Sequence, residues 1–262
     1  MRPTTFLQGV TPQEDSSSIL ESSKIEELPR GGCPSETVPI RRITKEDLIR
    51  TKLSSNIHPF TQETPSSHVN PKLYGDNKTR LFTRWTADNY QTTGCYNTLC
   101  PGFVQISNYF SVDSILDTVS IYNGIQRQLK FSVFQDQFTG NWMFFIGHQN
   151  HFMGYWPRSI FQNLGYYANS IEWGGATHSL VGEENMPQMG SGHFPEEGYR
   201  KACFFHRVHL IPTIGDDFIN PSETDLAMIS NKPNCYRVLG KDLIWSSEYA
   251  FYFGGPGGTC GS

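Results

Sequence analysis

The stretch "RQLKFSVFQDQFTGNWMFFIGH", residues 127–148, decides the fold class. Two short runs rich in aromatic and β-branched residues, "RQLKFSVFQD" and "WMFFIGH", flank the turn "QFTGN", and that arrangement reads as a β-hairpin. The same grammar extends in both directions. Upstream, "TRLFTRWTA" alternates Leu81, Thr83 and Trp85 against Phe82, Arg84 and Thr86, a period of two. Downstream, "HFMGYWP", "SIEWGG", "KACFFHRVHLI" and "SEYAFYFGGPG" read as further short strands, and only "RSIFQNL" as a helical turn. Many short strands joined by glycine-rich turns, with no internal repeat, predict an all-β protein, an antiparallel β-sandwich or barrel.

Composition agrees with this reading. The 262 residues suffice for one large β domain with an extra segment. Charged residues are 18%, aromatics 13%, and there are 24 Gly and 16 Pro, the balance of a folded, loop-rich β protein. A formal charge of −4 supplies no basic field for nucleic acid or an anionic membrane surface. No run approaches the roughly 18 apolar residues of a transmembrane helix.

Residues 1–55 differ in character. Thr11, Pro12, Gln13 and Glu14 form a capping box that opens a short polar helix, and Thr44 to Asp47 caps a second. Between them "RGGCPSETVPIRR" is extended, and residues 56–68 are polar and linker-like. The opening "MRPTTFLQGVTPQEDSSS" has neither the basic start nor the apolar run of a signal peptide. The cysteines point towards export all the same. Cys95 with Cys100 and Cys235 with Cys260 are spaced to close loops as disulfides, whereas zinc would require C-x2-C pairs that do not occur. "NKT" makes Asn77 a glycosylation acceptor in an exported protein. These hints together predict an N-terminus that is incomplete.

The candidate chemistry narrows quickly. His148/His151 and His206/His209 stand at i, i+3, which on strands points the rings to opposite faces and builds no metal site. Ser191 has no nucleophile elbow around it, and Cys203 reads as a buried strand cysteine. Glu172 in "ANSIEWGGATHS", residues 168–179, is different. On a strand it would take the face opposite Ile171 and Trp173, where flanking aromatics can desolvate it and hold it protonated at mild acidity. The plain alternative is a solvent-facing glutamate.

"RLFTRWTADNYQTTGCYNTLCPGFVQ", "GNWMFFI", "GYWP", "IEWGG", "QMGSGHFPEEGYRKA" and "FYFGGPGG" resemble, in that order, the neprosin domain, from Val69 to Cys260. That is a plant family of secreted prolyl endopeptidases of the glutamic class. "CPSETVPIRRITKEDL" is similar to the family's activation peptide. The resemblance implies residues 1–55 as a remnant of that peptide, 56–68 as a linker, and 69–262 as an incomplete β-sandwich catalytic domain without its first strands. It implies two catalytic glutamates, cleavage after proline at acidic pH, no metal and no cofactor, and the two disulfides above. Glu172 falls on the second glutamate. The first belongs to an "E-A-G-W-x-V" strand whose place here reads "TQETPSSHV", with Thr64 at the glutamate position, Ser66-Ser67 at Gly-Trp, and Glu63 one residue out of register. Cys33 then lacks its family partner, and Cys203 is unpaired.

The expectation is therefore a glutamic-class endopeptidase domain, one acid short and so weakened or silent, acting as a monomer on proline-containing peptide, with Trp173, Tyr155 and Trp156 lining its cleft. A non-catalytic β-sandwich that binds proline-rich peptide or cell-wall polysaccharide is the alternative. A glycoside hydrolase would need a second acid near Glu172, and Glu183 and Glu184 fall in a loop, "VGEENMP".

Overall fold

In the computed structural model the described residues are 20–22, 33–34, 36–41, 66–88, 90–179, 185–240 and 248–260, with backbone alone at 20–22, 66–68 and 72. Their strands in chain order begin with β1 (Leu20–Ser22), β2 (Ser66–Val69), β3 (Thr79–Phe82), β4 (Arg84–Trp85) and β5 (Cys95–Tyr96). Then come β6 (Val104–Gln105), β7 (Gln126–Gln128), β8 (Phe131–Gln135), β9 (Trp142–Ile146) and β10 (His151–Trp156). The last are β11 (Asn185–Met186), β12 (Cys203–Phe205), β13 (Arg237–Gly240), β14 (Phe251–Gly254) and β15 (Gly258–Thr259). A single helical turn, α1 (Pro71–Tyr74), precedes β3, opened by the Asn70 side chain on the Leu73 amide and closed by Gly75.

The predicted hairpin is the centre of the larger sheet. Strands β8 and β9 pair antiparallel, Val133 opposite Phe144 and Gln135 opposite Trp142. Strand β10 adds to β9, and β6 to β10, giving the order β6-β10-β9-β8. A second sheet has the order β12-β14-β13, and short ladders join β2 to β3, β4 to β5 and β11 to β15. Strands β1 and β7 make the one parallel pair among the described residues. The antiparallel all-β class thus stands, as two small sheets with satellite ladders.

The core forms on one face of the larger sheet because alternate residues of each strand share a face. Phe144, Ile146, Met153 and Trp156 are buried there with Leu81, Trp85, Phe103 and Phe161. The Trp156 indole meets Phe103 edge-on at 4.8 Å between ring centroids. Gly154 is required beside it: a Cβ there would lie 2.1 Å from the Val104 carbonyl oxygen, so only glycine lets β6 pair. The alternation expected for "TRLFTRWTA" is present from Leu81 to Trp85, with Leu81, Thr83 and Trp85 buried between the half-buried Phe82 and Arg84, and it ends at Thr86, which is buried too. Strand pairing nevertheless breaks at Thr83, whose amide hydrogen is taken by the Asn97 side chain at 2.8 Å.

Both capping boxes, at Thr11 and Thr44, lie outside the described residues. The extended reading of "RGGCPSETVPIRR" holds over 37–41, whereas the Thr37 amide closes a turn on Pro34 O at 3.1 Å with Glu36 at φ 65°. The Cys33 amide donates to Asn108 O at 2.9 Å, the Gln105 side chain donates to Pro39 O at 2.7 Å, and Arg41 pairs with Asp113 at 2.9 Å. Around "RSIFQNL" the helical turn is a short 3-10 element, Arg158–Ile160. "SIEWGG" departs from expectation. Residues 168–179 form no strand and join no ladder of the described strands.

The histidines also meet differently from their sequence pairing. The His206 Nε2–H donates to Gln128 Oε1 in a short contact, and the Gln128 amide reaches His148 Nε2 at 3.3 Å. As an acceptor of that amide, His148 Nε2 must carry no proton. Burial, then Arg207 and His148, pushes His206 down to about 4; burial, then Lys130 and Arg207, also lowers His148. A depressed imidazole contributes stability that is full above its unfolded value of 6.5 and lost as pH falls towards 4. Denaturant titrations between these limits should show a loss of about 2 kcal/mol, allowing for the water that still reaches the ring. His206→Asn should flatten that slope, and an unchanged slope would refute the assignment.

Candidate active-site region

Glu172 lies in the long connection between β10 and β11. Its neighbour Gly175 seats the connection against the second sheet: a Cβ at that position would fall 2.7 Å from both Met189 Cγ and Phe253 Cε2. Ser179 Oγ approaches the Met186 sulfur at 3.1 Å at the far end. Between these anchors the segment is open. Ile171 is 53% exposed, Glu172 is exposed, and Trp173 is half-buried. Among the described residues the Glu172 carboxylate has no hydrogen-bond or ion-pair partner. The aromatic enclosure expected of a strand glutamate is therefore not built. Without a neighbouring strand the segment has no ladder to fix which way its side chains point.

The strand that would carry a first acid is present in part. Strand β2 pairs antiparallel with β3, Ser66 opposite Phe82 and Ser67 opposite Leu81. Glu63, Thr64, Glu183 and Glu184 all lie outside the described residues.

The expected cleft residues separate. Trp156 is fully buried in the core, which corrects its assignment to a cleft. Tyr155 points to the opposite face, where it pairs with Met143, and is half-buried. That face carries a run of neighbouring rings across three strands, Phe134 stacked on Phe145 at 5.4 Å and Phe145 tilted against Phe152 at 5.0 Å. A groove lined by residues of the β8–β9 turn and of the loop after β10 contains none of Glu172, Trp173, Tyr155 or Trp156.

One polar cluster escaped the sequence reading. Glu197 accepts from Tyr122 OH at 2.9 Å and bonds His193 Nδ1 at 2.8 Å, and the Tyr122 and His193 rings stack at 4.2 Å. The bonds from His193 and Tyr122 hold the Glu197 carboxyl below its usual range. The i, i+4 spacing of His193 and Glu197 was the available signal. Tyr122 comes from a distant loop and had none.

The cysteine reading holds. Cys95–Cys100 and Cys235–Cys260 are disulfides, the second tying the chain's last strands to the turn before β13. Cys33 and Cys203 are free. Cys203 is only half-buried as a residue, yet its thiol is enclosed in the second sheet, and burial pushes it up to about 11. Asn77 is exposed in the loop between α1 and β3, as an acceptor for a glycan must be. Residues 62–256 match the family model described as Neprosin.

Two outcomes follow from this geometry. Glu172→Gln should change unfolding free energy by less than about 0.5 kcal/mol, as for an unpartnered surface residue, and a larger loss would reveal a partner. Thiol labelling of the native protein near neutral pH should modify Cys33 and spare Cys203 until denaturant is added.

Proposed function

This chain belongs to the neprosin family, and from that premise we propose that it is a glutamic-class endopeptidase domain directed at proline-containing peptides, with its acid chemistry reduced to Glu172. Family membership supports the coarse activity. The observation that carries the finer reading is the state of Glu172, exposed and without a carboxylate bonded to it among the described residues.

Amide hydrolysis by carboxyl groups divides two roles. One carboxylate takes a proton from water while a second, held protonated, polarises the carbonyl or protonates the leaving amine. A single acid cannot do both in one step. Thr64, at the place the resemblance gives the first acid, offers a hydroxyl that donates and accepts hydrogen bonds but does not ionise at acidic pH. On this reading the chain cleaves after proline about 10²–10⁴-fold more slowly than a two-acid member, the usual contribution of one positioned acid or base.

The domain division fits the same reading. Residues 37–41 lie extended beside β6 and the loop after it, through Pro39 on Gln105 and Arg41 on Asp113, as a remnant of an activation peptide would. The disulfides and the exposed Asn77 suit an extracellular protein. A second reading, binding of proline-rich peptide without hydrolysis, is favoured by the aromatic face of the larger sheet, which Tyr155 shares with Phe134, Phe145 and Phe152. Flat rings of this kind suit the preformed extended helix of proline-rich segments.

The experiment is incubation with a proline-containing peptide at acidic pH, with fragments read by mass spectrometry. Slow cleavage after proline, lost in Glu172→Gln and accelerated in Thr64→Glu, is the expected result. A folded protein that binds the peptide without cleaving it, in both the parent and Thr64→Glu, would replace hydrolysis by binding.

A further inference from the structure

The loop that follows β10 folds back on the β8–β9 turn and leaves a groove of about 710 Å³ between them. Both walls are fixed. The Trp142 indole N–H donates to Leu164 O at 2.8 Å, and the Gln135 side chain donates to the carbonyls of Gly140 and Gly165 at 3.0 Å each. The Arg158 amide donates to Asn141 Oδ1 at 2.9 Å, so the loop starts from a set position. The Arg158 stem then runs across Gly140, its Cδ 2.7 Å from where a Cβ would stand, and any larger residue there would displace it.

The chemistry of the lining is specific. The Arg158 guanidinium lies over the Tyr166 ring at 4.7 Å and has no carboxylate partner among the described residues. Asp136, the acid of the same turn, is engaged by the Thr139 amide and hydroxyl. Tyr166 is 66% exposed, so most of its ring faces solvent. Asn141, Gln162 and Asn163 supply amide groups around the pair, the Thr139 hydroxyl being spent on Asp136 and the Asn141 backbone amide. A cation without a carboxylate partner among the described residues, an open aromatic ring and a rim of amides are complementary to a carboxylate carried on a hydroxyl-rich ring. The cation takes the carboxylate as a charge-assisted pair, the tyrosine covers the C–H face of the ring, and the amides take its hydroxyls. A phosphate group would use several cations or a nest of backbone amides, and the lining has a single cation. An apolar peptide segment would leave the amides without partners.

We infer that this groove binds an acidic sugar, a uronate within an oligosaccharide, through Arg158 and Tyr166. The site uses neither Glu172 nor the aromatic face of the larger sheet. It therefore stands or falls separately from the peptidase reading.

The test is a calorimetric titration of the whole chain with trigalacturonate, its methyl ester, the neutral galactose trisaccharide and a short peptide ending in a free proline carboxylate. The acid trimer should bind, and esterification or Arg158→Gln should each weaken binding at least about tenfold, the scale of one charge-assisted contact. Tyr166→Ala should weaken the acid trimer and the neutral trisaccharide alike, while Glu172→Gln should bind as the parent does. Raising salt from about 20 to about 150 mM should reduce the affinity of the acid trimer alone. The assignment is overturned if the ester binds as well as the acid, if Arg158→Gln changes nothing while near-ultraviolet dichroism shows it folded, if the trimer does not bind, or if the proline peptide binds more tightly than the sugar.

Discussion

A β-strand satisfies its backbone only through a neighbour, and this constraint governs more of the molecule than any single contact. Where partners exist, in the order β6-β10-β9-β8, side chains alternate cleanly and a core of Phe144, Ile146, Met153 and Trp156 forms on one face. Where none is found among the described residues, as along 168–179, a stretch with strand-like residues stays open and exposes Ile171 and Glu172. The contrast is one of pairing, since both regions carry aromatic and β-branched residues.

The same constraint shapes the chemistry. A carboxyl group acquires an unusual proton affinity when its surroundings remove water or fix a charge beside it. Glu197 shows the effect, because Tyr122 and His193 are brought to it by the 3-10 turn that contains it and by a distant loop. Glu172, on a segment without a partner strand among the described residues, has no hydrogen-bond or ion-pair partner among them. The imidazoles follow the same logic. His148 and His206 are 58 positions apart in the numbering, yet Gln128 on β7 joins them, and burial beside Arg207 depresses both.

Anchoring differs between the two halves of the connection from β10 to β11. Its first part is held by indole and amide donors from β8 and β9, which gives the groove at Arg158 a fixed geometry. Its second part touches the other sheet chiefly where Gly175 meets Met189 and Phe253. A rigid polar groove therefore stands in the same connection as an open acid, and the two are positioned independently. The Cys235–Cys260 bridge acts at a third point, holding the chain's last strands beside the turn that leads into β13.

Much was legible in the residues themselves. The hairpin at 131–146, the burial of Leu81, Thr83 and Trp85 and the enclosed thiol of Cys203 follow from local pattern and side-chain periodicity, while the cysteine spacing allowed the two disulfides and the family resemblance implied them. The family motifs run through the same stretches, and the match over 62–256 agrees with them. Tertiary structure alone decided which face each aromatic took. Tyr155 and Trp156 are equivalent in sequence, but the irregularity between Phe152 and Gly154 and the close approach of β6 sent Trp156 into the core and Tyr155 to the opposite side. It also decided that "SIEWGG" is no strand, that Glu172 faces solvent, and that Arg158 meets Tyr166 above a polar groove. Pairing partners and burial are properties of distant segments brought together, and a local pattern can state only that a segment is fit to pair.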